Sequence, residues 1–197
     1  MNNRVHGSVK IRRSMNIPSV NNYLSYKQQL IIDFKDLCGY CGKNRRYFFD
    51  NFQIDHFRPK SKYPELKNDY TNLVLCCPIC NRNKSDDWPI NDLNLYHDDS
   101  IGYVDPASEE FDKVFFRNET GDICSNYDYG KYMITKLKFD IRPIKELWKL
   151  EKLYQTKKIV DQKIENGNIS KDEYKNFYQI SKEIEELTRF LKYEEGE

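Results

Sequence analysis

CGYCG at residues 38–42 and TNLVLCCPICNRNKSD at residues 71–86 bracket QIDHFRPKS at residues 53–61, and these three runs decide how the chain is read. Each flank carries a C-x2-C pair, Cys38/Cys41 and Cys77/Cys80. A C-x2-C turn lets two thiolates face one ion, and a second pair completes a tetrahedron. Four thiolates leave no open position for water. The expected site is therefore a structural zinc held by Cys38, Cys41, Cys77 and Cys80. A stretch so rich in loops has little core, and zinc supplies folding energy in its place. Gly39 and Gly42 let the backbone turn close to the ion. Cys76 lacks the spacing, and it reads with Cys124 as an ordinary small residue.

Between the knuckles lies the pair Asp55-His56. Tyr47–Phe49 and Phe52–Ile54 flank the turn dipeptide Asp50-Asn51, which predicts a short hairpin ending at this pair. Leu73–Leu75 reads as a short buried strand or turn. Pro78 suits the first turn of a helix over residues 78–86. The expected order is strand, strand, helix, tied by two knuckles. Phosphodiester hydrolysis needs a base for water, a cation against the charge of the phosphorane, and help for the leaving oxygen. An imidazole titrates near neutrality, so His56 can be the base. Asp55 and Asn81 offer oxygen ligands to a hard ion such as Mg²⁺. Arg58, Lys60 and Lys62 follow closely and can hold phosphates or form a solvated basic loop. His97, beside Asp98 and Asp99, reads as a loop residue or a second metal site.

The 197 residues carry a net charge of only +1, and this conceals an asymmetry. Residues 1–84 hold 15 Lys and Arg against 6 Asp and Glu, a balance of +9, and residues 85–197 stand at −8. A basic half carrying the site suits a polyanion such as DNA or RNA. Residues 1–20 read either as an extended basic arm that touches a nucleic-acid backbone or a partner, or as a disordered tail. No apolar run is long enough for a membrane span. MNNRVHGSVK lacks the apolar core of a signal peptide, so a cytoplasmic protein with reduced cysteines is expected.

Outward from the centre, apolar steps of three and four predict a helix over 21–37 with Asn21 or Asn22 as its cap. Residues 87–127 read as a connection with strand character at Ile101–Val104 and Lys113–Arg117 and a turn at Asn118–Gly121. From Asp128 the pattern is helical. Pro143 starts a helix to Asn166, Gly167 stops it, and Ser170–Glu173 is a capping box opening a last helix to about Tyr193. The seam of this helical hairpin is expected at Leu147, Leu150, Leu153, Tyr154, Ile159, Phe177, Ile180, Ile184, Leu187 and Leu191. The fold class is α+β: a basic arm and leading helix (1–37), a zinc-stabilised core (38–86), a connection (87–127) and a helical region (128–197).

The pattern C-x2-C … DHxxPxS … NLxxxCxxCNxxKS resembles the HNH endonucleases with their ββα-metal fold. CNRNKSDD also resembles the metal-binding helix in the HNH domain of RNA-guided CRISPR nucleases. The resemblance implies a Mg²⁺- or Mn²⁺-dependent endonuclease with His56 as general base and Asp55 and Asn81 as ligands. It further implies that Asn72 braces the loop and orients the base, and that Lys84 contacts phosphate or holds the helix. Asn81 stands where the family often has His. The basic arm, HFRPKS, YVDPASEEF, FRNETGDI and the helical tail resemble HNH nucleases of retron and Septu anti-phage systems. That likeness implies an ABC/SMC-like ATPase partner, with the tail as a docking surface or else an internal helical subdomain. The competing reading is a zinc-stabilised module that binds nucleic acid or protein without cutting.

Overall fold

The computed structural model describes residues 3–48, 51–92 and 95–195. The chain divides into two compact units, Met1–Arg142 and Pro143–Glu197.

The first unit begins with a 3-10 turn, Tyr23–Tyr26, running into α1, Lys27–Asp33. The Asn22 side chain accepts the Leu24 amide and caps the turn. Leu30 and Phe34 fall four apart, on one face, and are fully buried. The expected helix to residue 37 ends early at a double-bonded stop. The Lys35 amide donates to Ile32 and the Asp36 amide to Ile31, with φ of 55° at Lys35 and 63° at Asp36. Arg45 and Arg46 both bind the Asp36 carboxylate, which fixes this reversal and delivers the chain to Cys38.

The hairpin expected at Tyr47–Ile54 is not formed as read. Arg45–Phe48 is a single helical turn, α2, while Phe49 and Asp50 lie outside the described residues. Strand β1, Gln53–His56, instead pairs antiparallel with β2, Leu73–Cys76, with Asp55 opposite Val74 and His56 opposite Leu73. Residues 57–72 connect them through two 3-10 turns, Pro64–Leu66 and Tyr70–Asn72. Helix α3, Pro78–Lys84, follows with Pro78 in its first turn and Cys77 as N-cap. β2 is buried along its whole length and forms the floor of the unit.

Among the described residues of 87–110 there is no strand, so Ile101–Val104 differs from expectation. There is one isolated bridge, His97 to Gly102, and Tyr103 and Val104 enter the core. Trp88 stacks on Tyr103 and meets Phe57 and Tyr63 edge-on, which is the use of aromatic mass expected of a core. Helix α4, Phe111–Val114, leads into β3, Phe115–Arg117, which pairs with β4, Ile123–Ser125. Asn118 Oδ1 accepts from the Gly121 and Asp122 amides and shapes the turn between them. Helix α5, Asp128–Lys136, packs on β4 and belongs to the first unit.

The arm is not free. Val5, His6 and Ile11 are buried. Arg13 forms a bidentate pair with Asp105 at 2.7 and 2.9 Å and donates to the Leu73 carbonyl. Arg4 faces Asp112, and Lys10 and Arg12 face Glu109. Asp105, Glu109 and Asp112 thus face the four cations of the arm that was expected to touch a nucleic-acid backbone or a partner.

The second unit is a helical hairpin of α6, Ile144–Glu165, and α7, Lys171–Glu195. Gly167 at φ 68° ends α6. Ser170 and Glu173 exchange backbone-to-side-chain bonds in the expected capping box. Lys149–Glu183 and Lys163–Glu173 tie the helices together, and Ile184 and Leu191 are buried. Ile159 leaves the expected seam and is 58% exposed. Among the described residues, no helix is long and apolar enough to cross a membrane.

Candidate active site and cysteine cluster

The two knuckles meet. The sulfur atoms of Cys38, Cys41, Cys77 and Cys80 lie within 4.8 Å of one another, and all four residues are fully buried. The first knuckle is shaped by the Gly42 amide donating to the Cys38 carbonyl, with Gly42 at φ 75°. Gly39 must be glycine for space as well, because a Cβ there would sit 2.7 Å from Phe34 and 2.8 Å from Val74. The second knuckle is the first turn of α3. Burial pushes the Cys38 and Cys80 thiols up, while hydrogen bonds from its sulfur neighbours pull Cys41 down. Four thiols this close cannot all ionise without a cation to offset them. The Arg142 guanidinium adds positive charge 3.2 Å from Cys80 Sγ. An all-sulfur, buried, four-donor set fits zinc. Cys76 is buried outside the cluster, with its thiol toward the Gln53 carbonyl, and Cys124 is half-buried against Asp122.

Beside the cluster, a cavity of about 310 Å³ is lined by Tyr23, Asp55, His56, Lys60, Asn81 and Asp86, among others. The end of β1 brings Asp55 and His56 to it, and α3 brings Asn81. The Nε2 atom of His56 lies 2.9 Å from the Lys67 carbonyl. A carbonyl only accepts, so Nε2 carries the proton and neutral imidazole presents the lone pair at Nδ1. Among the described residues nothing bonds to Nδ1. Burial lowers the His56 pKa below its ordinary value, against the opposing effect of the Lys67 bond, and so favours the unprotonated form.

Asp55 is buried, and its Oδ2 accepts from the Tyr40 hydroxyl at 2.5 Å and faces Lys84 Nζ at 3.3 Å. Burial and the adjacent Asp55 charge push the Tyr40 hydroxyl far up, so it stays a donor. Asn81 Nδ2 donates to Gln53 Oε1 at 2.6 Å, which leaves its amide oxygen for another partner. Asn72 does not line the cavity. Its side chain bonds both the amide and the carbonyl of Arg58 and reaches Leu66, bracing the segment that carries Lys67.

Of the three basic residues expected near phosphate, only Lys60 reaches the cavity. Arg58 lies over the rings of Tyr63 and the exposed Tyr96, 4.7 Å from the Tyr96 ring centre, and Lys62 donates to the Trp88 carbonyl. Lys84 is 0% exposed and donates to the His56 carbonyl, so it holds α3 to β1 from inside. His97 pairs with Glu110 and stacks on Tyr129, away from any cluster of metal-ligating groups among the described residues. Tyr23 and Tyr40 escaped the sequence reading. Tyr23 meets His56 edge-on at 4.7 Å, and the only signal for Tyr40 was its place between two cysteines.

Residues 38–87 match the family model described as HNH endonuclease. No curated protein and no solved structure matches the chain. The family match supports a nuclease of the HNH type, for which nucleic acid is the substrate and divalent metal the usual requirement.

Proposed function

We propose that the chain is a metal-dependent HNH endonuclease whose catalytic core is residues 38–86, a ββα-metal arrangement stapled by a structural zinc on Cys38, Cys41, Cys77 and Cys80. One observation carries the reading: His56 is tied through Nε2 to a backbone carbonyl, so that Nδ1 is the basic atom beside Asp55 and Asn81 in one cavity.

In this reading His56 Nδ1 takes a proton from water as the water oxygen attacks phosphorus and the bond to the leaving oxygen breaks. The Asp55 carboxylate and the Asn81 amide oxygen are the protein ligands of Mg²⁺ or Mn²⁺. When bound, that ion offsets the charge gathering on the phosphoryl oxygens and the leaving group. Asn72 keeps His56 oriented by bracing the segment that carries Lys67. Lys60 is the residue placed to meet a phosphate of DNA or RNA.

The resemblance of residues 1–37, 56–61, 103–111, 116–123 and the helical tail to nucleases of retron and Septu systems extends the proposal. The chain is then the cytoplasmic effector of an anti-phage system, with an ABC/SMC-like ATPase as partner and the helical hairpin as docking surface.

The test is cleavage of plasmid DNA and total tRNA with Mg²⁺ or Mn²⁺. Wild type cuts one or both, and His56→Ala slows the reaction by about 10²- to 10⁴-fold, the usual worth of a positioned base. Cleavage untouched by His56→Ala overturns the assignment. Binding of nucleic acid by a wild type that never cuts points instead to a binding module or to an enzyme gated by its partner.

A further inference from the structure

The first knuckle does more than hold sulfur. Tyr40 sits between Cys38 and Cys41, and its ring is wholly buried. The knuckle is pinned to the sheet by the Gly39 amide, which donates to the Leu75 carbonyl on β2 at 2.8 Å. From there the Tyr40 side chain reaches Asp55 on the neighbouring strand. A buried phenol needs an acceptor, and a buried carboxylate needs donors. Both needs are met in one bond.

The consequence lies in which oxygen is taken. Tyr40 and Lys84 both address Oδ2. Among the described residues Oδ1 has no hydrogen-bond partner, and Asp55 lines the cavity. Lys84 alone would leave the carboxylate free to rotate and offer either oxygen to the ammonium. The Tyr40 hydroxyl approaches from the knuckle and removes that freedom.

We propose that Tyr40 is a positioning residue for the divalent cation: its hydroxyl fixes Asp55 Oδ2 so that Oδ1 is presented to the ion in the cavity. This rests on the reading of Asp55 as a cation ligand. Partners of this kind on ligating carboxylates are worth about 10- to 100-fold in metal affinity.

The test is Mn²⁺ binding to the zinc-loaded protein without substrate, followed by the electron paramagnetic resonance signal of free Mn²⁺. Wild type, Tyr40→Phe and Asp55→Ala are compared, with zinc content measured on each. Tyr40→Phe is expected to keep its zinc and bind Mn²⁺ about 10- to 100-fold more weakly, with cleavage returning toward the wild-type rate at high Mn²⁺. A Tyr40→Phe protein that holds zinc and binds Mn²⁺ within twofold of wild type overturns the role of Tyr40 alone. Mn²⁺ affinity unchanged by Asp55→Ala, or absent in wild type, overturns the cation site itself. A crystal structure of the wild type with Mn²⁺ reads the same point without a variant. Oδ1 on the ion with Oδ2 on Tyr40 is expected, and Oδ2 on the ion refutes the proposal.

Discussion

His6 shows how a single side chain can set a pH limit. Its Nε2 donates to the Gly39 carbonyl in the first knuckle, and its ring stacks on Phe111. Burial, with Arg117 nearby, lowers its pKa from 6.5 to about 4. The unfolded chain therefore binds a proton near pH 6.5 that the folded chain refuses until about pH 4. Stability attributable to His6 is complete above pH 6.5 and falls as pH drops toward 4, by on the order of 3 kcal/mol at about 1.4 kcal/mol per unit. Acid also displaces thiolate-bound metal, so the measure is a difference. His6→Gln keeps a donor but cannot titrate, and its urea midpoint should fall less than that of wild type between pH 7 and pH 4.5. Parallel curves would refute the assignment. The sequence offered no hint of this role, because the partner of His6 is a backbone carbonyl 33 residues away. That Asp55, His56 and Asn81 come to one cavity and the four cysteines to one cluster was legible, because all of them lie within one short segment. The fate of Arg58, Lys62 and Lys84 was not, because aromatic and carbonyl partners for a long cation leave no mark on local sequence.

Helix ends divide the same way. α6 stops at Gly167, and that stop was legible because glycine takes positive φ without a steric penalty. α1 and α5 stop through the same pair of bonds at Lys35 and Lys138, with φ of 55° and 58°. Lysine there gives no signal, so α1 was read as running on to residue 37. A left-handed residue with a Cβ carries a strain of about 1–2 kcal/mol, partly offset by the lower unfolded-state entropy that glycine would raise. The Lys35 side chain is exposed. Lys35→Gly is therefore expected to stabilise the first unit by about 0.5–1 kcal/mol, seen as a higher denaturation midpoint, whereas a lower midpoint would mean that the lysine stem contributes packing. Tyr47-Phe48 shows the opposite failure. Aromatic residues favour strands, yet Arg45 and Arg46 bind Asp36 and hold this stretch as a helical turn.

For the molecule as a whole, the cysteine cluster joins residues 38–41 to 77–80 and so closes the segment that contains β1 and β2. Zinc removal should unfold this segment, while helices α6 and α7, which carry their own caps and ion pairs, persist. Hydrogen exchange with and without a strong chelator reads this directly. Uniform protection across residues 38–84 after zinc is gone would show that the metal is dispensable to the fold, and metal analysis before treatment should give about one zinc per chain. The basic arm belongs to this scale too. Its charge was visible in the sequence, but its acidic partners Asp105, Glu109 and Asp112 lie some hundred residues on, and only the fold shows that they face it.

Arg142 carries one last consequence, for where the chain can be cut. Its guanidinium touches the Cys80 and Cys77 sulfurs and the Leu137 carbonyl, yet it lies beyond the end of α5 at Lys136. A truncation placed at the visible end of that helix would strip a positive charge from the cluster while leaving every cysteine in place. The natural boundary of a minimal fragment falls after Arg142, at the proline that opens the next helix.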